Sequence, residues 1–224
     1  TLAGAPGSFV LDPAEQVRLL RTKVTGTVKT LFADGMLLDV QRFGQHLPSA
    51  FNFSGTGIIN NDADPKNYQV HTGTMNLTGL HVGSPVRTYG FVLPFGSAPP
   101  DFDAMSVVDE ADVAALLGVV WKSDAAVQFK VIDATGLTLD LAGAASAHHV
   151  LRGFVSTDLV SLTSVKVIPW SAAPAFYSIR KDGMVTVHKL FASFAADLKA
   201  RLDGGEDAQR ITALGRFDDA TGEM

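Results

Sequence analysis

The chain has 224 residues, of which 46% are hydrophobic and 18% charged, and its net charge is −5. That composition supports a buried core, in one large β domain or two small ones of roughly 100 residues, and excludes a disordered chain. The acidic balance excludes the basic stripe of a general nucleic-acid binder, no apolar run approaches the ~20 residues of a membrane-spanning helix, and the lack of cysteine excludes disulfides and thiolate sites.

In chain order, residues 1–22 read as a lead-in. The sequence starts at Thr1 and not Met, as a processed or trimmed terminus would. Asp12 has the character of a helix N-cap, followed by Pro13 and by Glu15 three residues on, so a short helix is predicted over Pro13–Leu20.

Residues 23–109 read as a first small β-barrel. Val24, Gly26 and Val28 alternate with polar residues, Ala33-Asp34-Gly35 supplies a hairpin turn with Gly35 accepting a positive φ, and Met36, Leu38 and Val40 point inward. Asn52–Gly55 and Tyr68–His71 are further predicted strands. Val82–Phe91 is a long one with a bulge at Gly90, and Ala104–Asp109 closes the barrel.

Residues 110–126 read as a linker with a short helix over Glu110–Leu117. Residues 127–224 read as a second barrel. Its elements are inward-alternating strands at Val127–Val131 and Leu137–Leu141, another at His149–Val155, and a hairpin of Tyr177–Arg180 and Met184–His188 about Asp182-Gly183. An amphipathic helix carries Phe191, Phe194, Ala195, Leu198 and Leu202 and ends at Gly204, and a last strand runs from Arg210 to Phe217. This second barrel reads as lacking its closing strand.

The division rests on a repeated grammar. Lys29–Val40 is echoed by Val131–Leu141, and Val86–Phe91 by Ile211–Phe217. The predicted fold class is therefore mainly β: two tandem antiparallel OB-like barrels with a few short helices.

Val24–Val28, Leu80–Val86 and Gly90-Phe91, with Gly204-Gly205 and Gly215–Phe217 at the other end, carry a family likeness. The chain resembles uncharacterised bacterial envelope proteins, often lipoproteins, built from tandem OB-like barrel repeats. The resemblance implies an exported, periplasmic or envelope location with a membrane tether upstream of Thr1. It brings no chemistry and no site residues.

Several side chains invite a chemical reading. Asn60, Asn61, Asp62 and Asp64 gather hard oxygens as calcium prefers, but Pro65 and the missing glycine and distant glutamate favour a solvated turn. His148 and His149 project to opposite faces of a strand and cannot readily share one metal. Asp101 and Asp103, flanking Phe102, could share a face as a hydrolase pair, although Asp beside Pro-rich loops usually builds turns. The repeated Asp39 and Asp140 fall on outward positions and read as solvent-exposed. Trp121, Trp170 and Tyr177 would stack on a sugar or base only if they lined one face; the simpler assignment is core.

No catalytic residue, metal ligand or cofactor is assigned on this basis, and the ligand-binding residues are unknown. The leading expectation is a non-enzymatic binding or structural module with a protein, peptide or carbohydrate partner and no nucleic acid. A hydrolase of an envelope polymer and a module that self-assembles by strand donation are the alternatives.

Overall fold

In a computed structural model, residues 2–3, 10–11, 20–59, 61–122, 127–142, 145–170 and 175–224 are described. The helix predicted over Pro13–Leu20 lies outside them, Leu20 excepted. Strands β1 (Leu2–Ala3) and β2 (Val10–Leu11) form a small antiparallel pair.

The first half is a closed barrel of β3 (Thr22–Leu31), β4 (Gly35–Phe43), β5 (Tyr68–His71), β6 (Pro85–Val92) and β7 (Phe102–Asp109), in the order β3-β4-β5-β7-β6. Every pairing is antiparallel except β5 with β7. Closure leaves no free edge, and the period-two residues Val24, Val28, Met36, Leu38, Val40, Val70 and Val86 fill the interior with Tyr68 and Phe102. At Gly90 the register with β7 shifts, and a Cβ there would sit 2.0 Å from the Asp103 carbonyl oxygen. The bulge read from the sequence is therefore a point of backbone contact.

Two first-half expectations change. Gly35 does not take a positive φ; it is needed because a Cβ would lie 2.4 Å from the Val70 carbonyl oxygen of the neighbouring strand. Asn52–Gly55 is not a strand. The Asn52 side chain accepts the Ser54 amide at 3.0 Å, a local turn that competes with any ladder, while Phe53 packs on Phe43.

The second half is two facing sheets and not a single closed one among the described residues. One holds β8 (Ala115–Trp121), β11 (Ala145–Arg152), β12 (Val155–Asp158) and β16 (Arg210–Gly215), in the order β12-β11-β8-β16. The other holds β9 (Phe129–Asp133), β10 (Gly136–Asp140) and β13 (Ser164–Val167), in the order β13-β10-β9. The hairpin β14 (Tyr177–Lys181) and β15 (Met184–His188) turns at Asp182 and Gly183, both at positive φ. Helix α1 (Phe191–Asp203) drives Phe191, Phe194, Ala195 and Leu198 into a core shared with Leu117, Val119, Leu137, Leu139 and Val165.

No helix forms over Glu110–Leu117. Ala115, Leu117, Val119 and Trp121 are buried at period two, so the expected linker contains a central core strand. On β9 the expected inward face is also displaced. A bulge opposite Thr138/Leu139 pairs Leu137 with Ile132, which leaves Val127 and Val131 exposed while Phe129 and Ile132 pack inward. The end of the sequence lies against β13. Lys166 donates to the Gly222 carbonyl at 3.0 Å and Met224 to the Lys166 carbonyl at 2.8 Å, alongside β13.

Candidate functional site

The two halves meet where β12, an outer strand of its sheet, lies against β3 and β6, and the outward face of β4 reaches it through a side chain. Alternation on β4 turns Leu37, Asp39 and Gln41 away from the barrel core. The Gln41 side-chain amide then binds both main-chain groups of Ser156: it donates to the carbonyl and accepts the Ser156 amide at 2.7 Å. One side chain thus behaves as a short strand partner and covers part of an edge that would otherwise be open.

Beside this clasp lies a hollow of about 450 Å³ lined by Thr27, Asp39, Gln41, Lys66 and Ser156–Asp158. A smaller one of about 170 Å³ shares Thr157 and Asp158 and adds His81, Ser161, Leu162, Phe217 and Asp219. Together they form a cleft along β12 to which both halves contribute hydroxyl, amide and carboxylate groups. Lys66 meets Asp39 at 3.1 Å. His81 Nδ1 is 2.9 Å from Ser84 Oγ within a turn, and Ser84 is buried.

Two ion pairs with buried members lie beside the cleft. Arg152 lies on the inward phase of β11 and is 1% exposed; its Nη2 reaches Asp219 at 2.8 Å and its guanidinium packs on Phe217. Glu110, buried between the halves, contacts Arg87 of β6 at 2.7 Å, and a Cβ on Gly153 would fall 2.9 Å from the Glu110 carboxylate. On the other side of the joint, the Lys23 ammonium sits 4.3 Å from the Phe154 ring centroid. Removing either partner of such an ion pair leaves a buried charge uncompensated, so these contacts tie the second half's β11 to the chain end and Glu110 to β6.

The sequence candidates fall elsewhere. Asp101 is buried: its carboxylate accepts the Gln69 amide at 2.6 Å and its amide donates to the Gln69 carbonyl at 2.8 Å, which fixes the parallel start of β7 on β5. Burial raises the Asp101 carboxyl above its ordinary range against the Gln69 bond, and burial together with Asp101 pushes the Tyr68 phenol up. Asp103 is exposed and pairs with His71 Nδ1 at 2.9 Å. The two aspartates do not face a common groove, and neither lines the cleft.

Asp62 and Asp64 turn back on their own loop. Asp62 accepts the Gly57 amide at 3.0 Å, Asp64 accepts the Asn67 side-chain amide at 2.6 Å and the Lys66 amide at 2.9 Å, and these bonds hold both carboxyls below the usual range. Asn60 lies outside the described residues, and no metal-holding group of three His, Asp or Glu occurs among them. His148 and His149 stand opposite Val119 and Gly118, and the His149 ring fills the space over Gly118. Asp39 and Asp140 are half-buried and paired with Lys66 and Lys130, not free in solvent as expected. Trp121 is buried with Nε1 donating to the Asp140 carbonyl at 2.9 Å, Tyr177 packs on Phe191 and Phe194, and Trp170 is exposed, so the three share no face.

The sequence reading does not single out Gln41, Ser156–Asp158, Arg152 or Asp219. An arginine two residues from Val150, on the buried phase of a strand, is the available signal for Arg152. Nothing local links Gln41 to Ser156, 115 residues away. No family model matches the sequence, and neither a curated protein nor a solved structure matches it significantly.

Proposed function

We propose that the chain is a non-enzymatic binding module of a larger bacterial envelope protein, holding an extended neutral ligand, a carbohydrate or a peptide, in the cleft along β12. The observation that carries this reading is the shared concave wall: Thr27, Asp39 and Gln41 from the barrel face Ser156, Thr157 and Asp158 from the second half. Hydroxyls, an amide and carboxylates along one wall suit a ligand rich in hydroxyl or amide groups. The commitment of the Asp101 carboxylate to the Gln69 amide favours binding over hydrolysis by the Asp101 and Asp103 pair.

The envelope placement rests on the Gly and Val patterns of the family resemblance. The strand order β3-β4-β5-β7-β6 with one parallel pair supports an OB-like reading of the first barrel, a fold that commonly presents a sheet face and loops to extended ligands. For the second half, the tandem reading rests on the echo between hairpins β3–β4 and β9–β10. The strand that echoes β6, β16, pairs with β8 and not with β9, a departure from the β6–β3 pairing of the first barrel.

The test is a screen of neutral oligosaccharides and short peptides followed by calorimetry. A ligand whose affinity falls at least about tenfold in Asp158→Ala, the loss of one charge-assisted hydrogen bond, supports the reading. Binding that Asp158→Ala and Thr27→Ala leave unchanged refutes the cleft.

A further inference from the structure

A separate surface stands at the loop end of the barrel. The loop between β4 and β5 is tied by main chain to the loop between β6 and β7. Ile58 donates to the Ala98 carbonyl at 2.9 Å, Gly96 to the carbonyls of Gly55 and Thr56 at 3.1 and 2.9 Å, and Ala98 to the Thr56 carbonyl at 3.2 Å. Residues 43–61 and 88–100 contain no Asp, Glu, Lys or Arg, in a chain where these make up 18%. The paired loops are thus an uncharged lip on an acidic protein.

The lip carries large apolar side chains outward. Ile58, Ile59 and Phe95 are 55%, 88% and 72% exposed. Ile59 also holds φ at +39°, a region that a β-branched residue enters only at a cost, and such strain collects at working surfaces.

We propose that this lip is a membrane-contact surface, in which Ile58, Ile59 and Phe95 enter the interfacial zone of a bilayer with zwitterionic headgroups. A bilayer fits better than a protein partner for three reasons. The side chains protrude, and they line neither hollow of the cleft. The amides of Ile58, Gly96 and Ala98 are already bonded within the lip, so moving it out of water strands none of these donors. Its charge selects the lipid: no cation is present for an anionic headgroup, and Asp62 at its base keeps its carboxylate ionised by accepting amides from Gly57 and Gly55. Contact through three side chains is weak and reversible, unlike a spanning segment.

The experiment is flotation of the full chain with phosphatidylcholine vesicles. Wild type floats with the vesicles, Ile59→Ser/Phe95→Ser lowers the bound fraction about tenfold, as the lost apolar area requires, and Met184→Ser, at an equally exposed site on β15, leaves it unchanged. Adding phosphatidylserine weakens binding. In Ile59→Trp, brominated lipid quenches the added fluorescence. A wild type that stays with the soluble fraction, a double variant that floats like wild type, an equal loss in Met184→Ser, tighter binding to phosphatidylserine, or fluorescence of the Ile59→Trp variant that brominated lipid leaves unquenched each overturns the proposal. Unchanged circular dichroism of the double variant ties its loss to the lip.

Discussion

The two halves of this chain bury β-sheet by different means. The barrel closes on itself through main-chain hydrogen bonds, β3 pairing with β4 on one side and β6 on the other, and loop residues such as Phe53, Ala63 and Leu80 add to a core that the strands enclose. Among the described residues the two larger sheets of the second half share no ladder, and their core is finished by side chains from α1 and Phe217. A closed ladder depends little on any one side chain. A sandwich plugged by a helix depends on the plug.

The largest expected effect follows from that contrast. Phe194→Ala removes a ring packed against Tyr177, Phe191 and His188 and should cost about 3–5 kcal/mol. In hydrogen exchange, protection should fall in β9, β14 and β15 while β3–β7 keep theirs; uniform loss across both halves would erase the distinction. Next comes the joint. Arg87→Ala leaves the buried Glu110 carboxylate without its 2.7 Å partner and should cost about 3 kcal/mol, seen in calorimetry as separation of one melting transition into two. Gly90→Ala, which forces a Cβ against the Asp103 carbonyl, should cost about 1–3 kcal/mol and act on the barrel alone. Gln41→Ala removes two hydrogen bonds at the clasp and should cost about 1–2 kcal/mol, with faster exchange of the Ser156 amide as its signature.

The smallest effects are in pH dependence, where Asp101 of the barrel and Asp133 of the second half differ in sign. Burial raises the Asp101 carboxyl, so the folded barrel holds its proton longer than the unfolded chain and ionisation weakens folding as pH rises above the ordinary carboxylate value. Asp101→Asn should therefore gain on wild type between about pH 4 and 7, the span above the unfolded value. Asp133, in the β9–β10 turn, is lowered by bonds from the Thr135 hydroxyl and amide, so its contribution is present above the ordinary carboxylate value and lost as pH falls. Asp133→Asn should be weaker than wild type at neutral pH and converge with it in acid. Urea melts across pH measure both, and parallel slopes would contradict the assignment.

How much was legible in the sequence follows the same division. Alternation places Val24, Val28, Met36, Leu38 and Val40 in the barrel interior, and the helix from Phe191 to Gly204 is written in the spacing of its aromatic residues. Local signals failed where partners lie far apart. Ala115–Trp121 has helical composition at its start, yet it is a strand because β11 and β16 flank it, from 30 and 95 residues further along. The Val131 phase was lost to a bulge set by β10. The cleft was illegible for the same reason: Gln41, Asp158 and Asp219 become neighbours only through the packing of one half on the other.

The cleft carries the proposed function, and backbone amide shifts measured by NMR during addition of a ligand found in the oligosaccharide and peptide screen test it most directly. The prediction is movement confined to Thr27, Gln41, Ser156–Asp158 and His81, abolished by Asp158→Ala. Shifts clustered instead on β14–β15, or on the outer face of β8 and β16, would contradict it.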